Sequence, residues 1–187
     1  MKAMNLVQTN IPATVTKLAA LDIITYAIGE SPIGKILAAR SAIGVCAILI
    51  GSDADTLERD LGHRFPGKLL VEDGATLRDD LAAIARFVEI PGVGLDLPLD
   101  LRRGTPFQQR VWEALRGIPC GATITYAALA QRLGQPDGAR AVATACAANA
   151  IALGIPCHRV VRADGTLSGY RWGVERKRAL IDKEATI

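Results

Sequence analysis

Ile155-Pro156-Cys157-His158-Arg159-Val160-Val161 puts a nucleophile, a titratable ring and a rigid backbone side by side. Pro156 fixes its own φ and biases Ile155 toward an extended conformation, so Cys157 is held rather than left to swing. Val160-Val161 reads as the start of a buried strand. On an extended segment neighbouring side chains point to opposite faces, so His158 is poorly placed to take the Cys157 proton directly. A bridging water would solve that geometry, and a carboxylate such as Glu184 would hold the imidazole tautomer. A free cysteine is more often a small buried hydrophobe than a nucleophile, because reactivity needs surroundings that favour the thiolate. The flanking sequence decides between the two.

Upstream, residues 125–133 read as a helix capped by Thr125 and ended by Gly134. After the turn Gln135-Pro136-Asp137-Gly138, a second helix runs over 139–149. Together they outline a helix-turn-helix. The second helix is almost all small residues, which let a backbone approach another surface closely. A tightly packed core helix would use the same residues. Arg140 at its start does not suit a core, and favours a face that meets phosphates or bases. Before this pair, Thr105-Pro106 opens a helix with an N-cap and a first-turn proline, and Phe107, Val111, Trp112 and Leu115 form its apolar face.

Downstream, Val160-Val161, the turn Asp164-Gly165 and Leu167 predict a hairpin. Gly169-Tyr170-Arg171-Trp172-Gly173 is a glycine-flanked aromatic loop. Residues 174–185 form a last helix, with Val174, Lys177, Leu180, Ile181 and Ala185 inward. Glu184, four residues after Leu180, falls near the buried edge, where a carboxylate usually has a partner.

The first hundred residues look structural. Residues 1–20 are weakly patterned and read as a tail or linker. Three strands are predicted over 21–29, 33–40 and 42–51, then a helix over 53–61 with His63 in an exposed loop beyond it. A stronger helix spans 76–89, with Leu77, Leu81, Ile84 and Phe87 on one face and Thr76 as N-cap. Leu95, Leu97, Leu99 and Leu101 alternate with Asp96, Pro98 and Asp100, as in a half-buried edge strand. A boundary falls near residue 101, at Arg102-Arg103-Gly104.

The net charge of +3 hides an asymmetry. Residues 1–100 carry 9 Lys/Arg against 13 Asp/Glu, whereas residues 101–187 carry 13 against 6. A basic half beside an acidic one points to a polyanionic partner for the basic half. The longest apolar run, 42–50, is too short to span a bilayer, and no secretory signal opens the chain. Cys46, Cys120, Cys146 and Cys157 lack zinc-site or disulfide-framework spacing, so no metal, no cofactor and a cytoplasmic setting are expected.

Asn149 followed by Ile-Pro-Cys-His-Arg-Val-Val, after an Arg-Ala-Val helix, resembles the O6-alkylguanine-DNA alkyltransferases. The resemblance is dense over about residues 104–184 and loose over 21–103. The run Leu-Ser-Gly-Tyr-Arg-Trp-Gly-Val is most similar to the C-terminal half of the family's bacterial adaptive-response (Ada-type) members. Their zinc-binding cysteine cluster and regulator domain have no counterpart in this sequence, so phosphotriester sensing and transcriptional activation are not carried over.

The resemblance implies an α+β fold, with a small ribonuclease-H-like domain over 21–101 and a mainly helical domain over 102–187. The helix-turn-helix of the second domain would carry the active site. It further implies a protein that takes the alkyl group of O6-methylguanine, and of O4-methylthymine, irreversibly onto Cys157, one turnover per molecule. His158, through water, and Glu184 would generate the thiolate. Asn149 would brace the junction between recognition helix and active-site segment. Arg140 would fill the gap left by the extruded nucleotide, with Ala141 beside it against the DNA. Tyr126 would contact the turned phosphate and help protonate the purine, and Tyr170 would wall the pocket. The carbonyls of Cys157 and Val160 would read the guanine amino group. The implied partner is double-stranded DNA containing O6-alkylguanine, bound through its minor groove by a monomer. Arg171 stands where some relatives carry serine.

Two other classes stay open on the residues alone. A lesion-binding module without transfer activity would lack the cysteine, and a Cys157–His158 hydrolase would turn over. Fold alone does not choose among them.

Overall fold

The computed structural model describes residues 23–167 and 169–186. The tail or linker expected over 1–20, and the first two residues of the first strand, lie outside them.

The chain folds as a mixed α+β structure with an N-terminal sheet and a helical C-terminal region. Strands β1 (Ile23–Ser31), β2 (Gly34–Arg40) and β3 (Val45–Gly51) form an antiparallel meander. The Ile- and Leu-rich centres of β2 and β3 are buried almost throughout, because both faces are covered. Helix α1 (Ala54–Arg64), capped by Asp53, and helix α2 (Arg78–Glu89) both pack on this sheet. His63 stays exposed, but it sits in the last turn of α1 rather than in a loop.

Other differences from expectation have local causes. Strand β4 (Leu69–Glu72), parallel to β1 at the sheet edge, carries no alternation to betray it, since Leu69 and Val71 are both exposed. Thr76 does not cap α2. Its hydroxyl and amide are taken by Asp73, whose side chain organises the turn before the helix. Residues 95–101 keep the alternation of half-buried leucines but make only a single bridge, Leu99 to Val45. Pro98 has no N–H for a ladder, and its carbonyl takes the Val45 amide at 2.7 Å. Asp100 is buried, holding Ser41 and Arg102.

The C-terminal region begins with α3 (Pro106–Arg116), where Thr105 and Gln108 complete a reciprocal capping box. A two-residue strand β5 (Ile124–Thr125) leads into α4 (Tyr126–Arg132), capped by the Thr125 hydroxyl. Helix α5 (Ala139–Ala147) follows and packs against α3 and α4. Val160–Val161 (β6) does not pair within a hairpin; it runs parallel to β5. The Asp164-Gly165 turn does form, closed by the Arg162 amide on the Thr166 carbonyl. Helix α6 (Val174–Glu184) closes the chain with Lys177, Leu180 and Glu184 inward, while Ala185 is exposed rather than inward.

Gly104 is a point of contact between regions. A Cβ there would overlap the Trp112 ring, whose Nε1–H donates to the Ala145 carbonyl of α5 at 2.9 Å. Gly104→Ala must displace that indole, so urea unfolding should show a loss of about 1–3 kcal/mol. Trp fluorescence should report the altered ring environment.

Candidate active site

The segment from Asn149 to Cys157 is wound tightly rather than extended. Ile48 of β3 donates to the Ala150 carbonyl and accepts from the Ala152 amide, both at 2.9 Å, so this loop is stitched to the sheet edge. Leu153, buried, takes φ +67°, with Gly154 N–H reaching back to the Ala152 carbonyl at 2.7 Å. A branched side chain in the left-handed region is strained and persists only where the surroundings over-determine it. Pro156, at φ −77° and ψ 61°, then forms an inverse γ-turn closed by Cys157 N–H on the Ile155 carbonyl at 2.7 Å. Cys157–Arg159 continues as one turn of 3-10 helix, which overturns the extended reading of this stretch. Successive side chains therefore diverge by about 120° rather than 180°.

Asn149, fully buried, braces this loop from inside. Its Oδ1 accepts the Ile151 amide at 2.8 Å, and its Nδ2 donates to the Ile155 carbonyl at 2.9 Å and to Cys157 Sγ at 3.3 Å. Burial pushes the Cys157 thiol up; the Asn149 N–H and the Lys177 ammonium pull it back toward ionisation. Lys177 is itself fully buried and donates to the Val160 carbonyl at 2.6 Å.

His158 points one ring nitrogen at Glu184. Its Nε2 lies 2.9 Å from Glu184 Oε1, a carboxylate that is only 2% exposed. Arg159 grips the same carboxylate with two parallel bonds, Nε to Oε2 at 2.8 Å and Nη2 to Oε1 at 2.9 Å, and its Nη1 donates to the Ile118 carbonyl. Burial would raise the Glu184 pKa, but hydrogen bonds from His158 and Arg159 outweigh it and hold the carboxyl at about 2. Burial also lowers the His158 pKa, so the imidazole is neutral at pH 7. An ionised carboxylate only accepts, so His158 carries its proton on Nε2 and leaves Nδ1 as the base. Nδ1 is buried with no protein partner among the described residues.

Cys157 lines a pocket of about 360 Å³ together with Tyr126, Tyr170, Gly169 and Arg171, and with Ala143, Cys146 and Ala147 of α5. Arg140 and Ala141 are exposed at the start of α5, with Thr144 and Ala147 continuing the exposed face. Burial, then the nearby Cys157, keeps the Tyr170 phenol well above its ordinary pKa, and its Oη has no protein partner among the described residues. Val160 is not among the lining residues. Among the described residues, no group of His, Cys, Asp and Glu could hold a metal ion.

A family model, 6-O-methylguanine DNA methyltransferase, DNA binding domain, matches residues 106–186. The inducible methylated-DNA–protein-cysteine methyltransferase of Bacillus subtilis is 41% identical over 121 residues, 65% of this chain and 67% of that protein. The crystal structure of Mycobacterium tuberculosis OGT in complex with DNA superposes with a TM-score of 0.70 at 35% identity, covering 87% of this chain and 93% of the other. The chain belongs to the O6-methylguanine-DNA methyltransferase family. It is also 48% identical over 162 residues, 87% of its length, to the Escherichia coli bifunctional transcriptional activator/DNA repair enzyme Ada. There it spans about half of the relative's length, 46%.

Within this methyltransferase fold, two buried cations escape sequence reasoning. Arg159 sits in the quoted stretch, but only the fold brings it to Glu184, and Lys177 reads simply as part of a helix face. The signal available was a charged residue on an otherwise apolar face, which demands a partner.

The Glu184 cluster gives acid sensitivity with a defined sign. Lowered folded-state pKa values mean stability that is full above the ordinary values and lost below them. For His158 the loss starts as pH falls through 6.5, and for Glu184 as it falls from 4.5 toward 2. Urea unfolding should therefore weaken steadily from pH 7 to pH 3. Glu184→Gln leaves Arg159 buried without a counter-charge and should cost about 3–5 kcal/mol at pH 7, while flattening the slope below pH 4.5.

Proposed function

We propose that this chain is a single-turnover DNA repair protein that moves the alkyl group of O6-methylguanine onto Cys157. The observation that carries this reading is the Cys157 thiol, held by the Asn149 N–H on the wall of a pocket bordered by Tyr126, Tyr170 and the small-residue helix α5. The family membership gives the substrate class.

A methylated base inside a duplex cannot reach this pocket, so the nucleotide must be flipped out, at a cost of a few kcal/mol. Helices α4 and α5 act as a helix-turn-helix, with the exposed Arg140–Ala141 end of α5 in the minor groove. Arg140 takes the space vacated in the stack, a device that offsets the unstacking cost. In the pocket, Cys157 Sγ attacks the alkyl carbon in line with the bond to O6. The S–C bond forms as the C–O bond breaks, giving a thioether and guanine.

The thiol proton passes through a bridging water to His158 Nδ1, with Nε2–H fixed on Glu184. Tyr126 supplies the proton that the purine requires, since guanine oxygen is a poor leaving group unless donors meet its charge. Tyr170 walls the pocket. The Cys157 carbonyl reads the guanine amino group, while the Val160 carbonyl, outside the pocket lining, accepts from Lys177. The thioether has no easy exit, so each molecule acts once, as a monomer. The sheet region up to about residue 101 is a ribonuclease-H-like domain whose part is to hold the loop that bears the thiol.

After reaction with an O6-methylguanine duplex, peptide mapping should find one methylene per protein, on the Cys157 peptide. Cys46 and Cys146, both pushed up to about 12, and Cys120 should stay thiols. Cys157→Ser should abolish transfer and keep DNA binding. Many turnovers would indicate a hydrolase, binding without label a recognition module, and label on Cys146 a wrongly assigned nucleophile.

Arg140→Ala should slow repair of duplex DNA more than reaction with free O6-benzylguanine, which needs no flipping. Equal losses on the two substrates would remove Arg140 from the flipping role.

A further inference from the structure

Among the described residues, Arg171 is the one charged side chain lining the Cys157 pocket, and it is 42% exposed, at the rim. Its Nη2 donates at 2.8 Å to Asp60 Oδ1, on α1 of the N-terminal region. The other oxygen of Asp60 takes Arg64 Nε at 3.2 Å, one turn along the same helix, so the acceptor is itself anchored. The loop that carries Arg171 is bounded by Gly169 and by Gly173, whose φ of +100° suits glycine. Its downstream end is secured separately: Arg176 donates to the Trp172 carbonyl at 2.9 Å and to the Ile33 carbonyl at 2.7 Å. The Tyr170 carbonyl takes the Gly173 amide at 2.9 Å, so within this rim it is the Arg171 side chain that the Asp60 contact holds.

We propose that Asp60 is a specificity-determining residue: it holds the Arg171 side chain at the rim of the Cys157 pocket and so limits the size of alkyl group that reaches the thiol. Asp60 touches neither the thiol nor the pocket, so it acts by positioning. An exposed ion pair biases such an equilibrium by no more than about five-fold, which leaves the fold intact but is enough to shift a ratio of competing reactions. This inference rests on the alkyl-transfer reading above.

The test is a competition on one sample. Two duplexes of the same sequence, one with O6-methylguanine and one with O6-benzylguanine, are mixed with limiting protein. Mass spectrometry then gives the ratio of benzyl to methyl adduct on the Cys157 peptide. Asp60→Ala should raise that ratio about two- to five-fold. Arg171→Gln, which leaves the Asp60–Arg64 pair in place and so covers the case of a poorly folded Asp60→Ala, should shift it in the same direction. The double variant should show no further rise, because Asp60 acts through Arg171.

An unchanged ratio in Arg171→Gln, or an additional rise in the double variant, would overturn the inference while methyl transfer stands. No adduct of either kind on the unaltered protein would overturn the alkyl-transfer reading, and this inference with it.

Discussion

The carboxylate of Glu184 has to be ionised in a place where water does not reach it, and much of the C-terminal region is arranged around that requirement. Isolated, such a charge would neutralise itself by taking a proton. Here the Arg159 guanidinium meets it edge to edge, His158 adds a third donor, and the Gly121 amide lies 3.4 Å from Oε2. The same contacts tie three separate pieces of chain together: the end of α6, the 3-10 turn of the nucleophile, and the turn after α3. A hydrophobic replacement of the whole cluster would hold the pieces as well or better. What it would lose is the orientation of one imidazole, which is a reason for charge rather than grease at this spot.

The nucleophile's own backbone answers to a different constraint. Between Asn149 and Cys157 the chain makes two turns that bond across two residues, one about Leu153 and one about Pro156. The one about Pro156 is an ordinary inverse γ-turn, whereas the one about Leu153 is strained outright. Asn149 supplies from inside the bonds that a regular element would have made, and β3 supplies them from outside. The result is a thiol placed by backbone geometry, with side-chain chemistry left free to tune it.

How much of this was legible in the sequence varies with the range of the interactions involved. The Thr105-Pro106 start of α3 and the Thr125 cap of α4 were readable because a cap and its target lie three residues apart. Period alone gives Lys177, Leu180 and the burial of Glu184 in α6, but it carries the inward face one residue too far, to the exposed Ala185. Residues 95–101 show the limit of pattern: the leucines alternate and are half-buried, yet Pro98 brings no amide to a ladder and the stretch makes a single bridge. The stretch around Cys157 misled for a subtler reason. Proline restricts the residue before it and fixes φ, but ψ is chosen by the Ile155–Cys157 hydrogen bond, which only the packed loop makes worthwhile. Arg171 lies in a glycine-flanked loop and Asp60 in a helix 111 residues away. Nothing local to either hinted that they meet.

The stitch between Ile48 and the segment around Ile151 also bears on how the molecule assembles. Its two strands lie about a hundred residues apart, so closing it costs loop entropy that local helix contacts do not. The β1–β3 meander and the helices α3 to α5 are built from short-range contacts and can form early, on either side of that gap. The loop bearing the thiol gains its shape only when the two halves dock. A nascent or partly folded chain would therefore display four cysteines of similar character, and the distinction of one among them is a late event in folding.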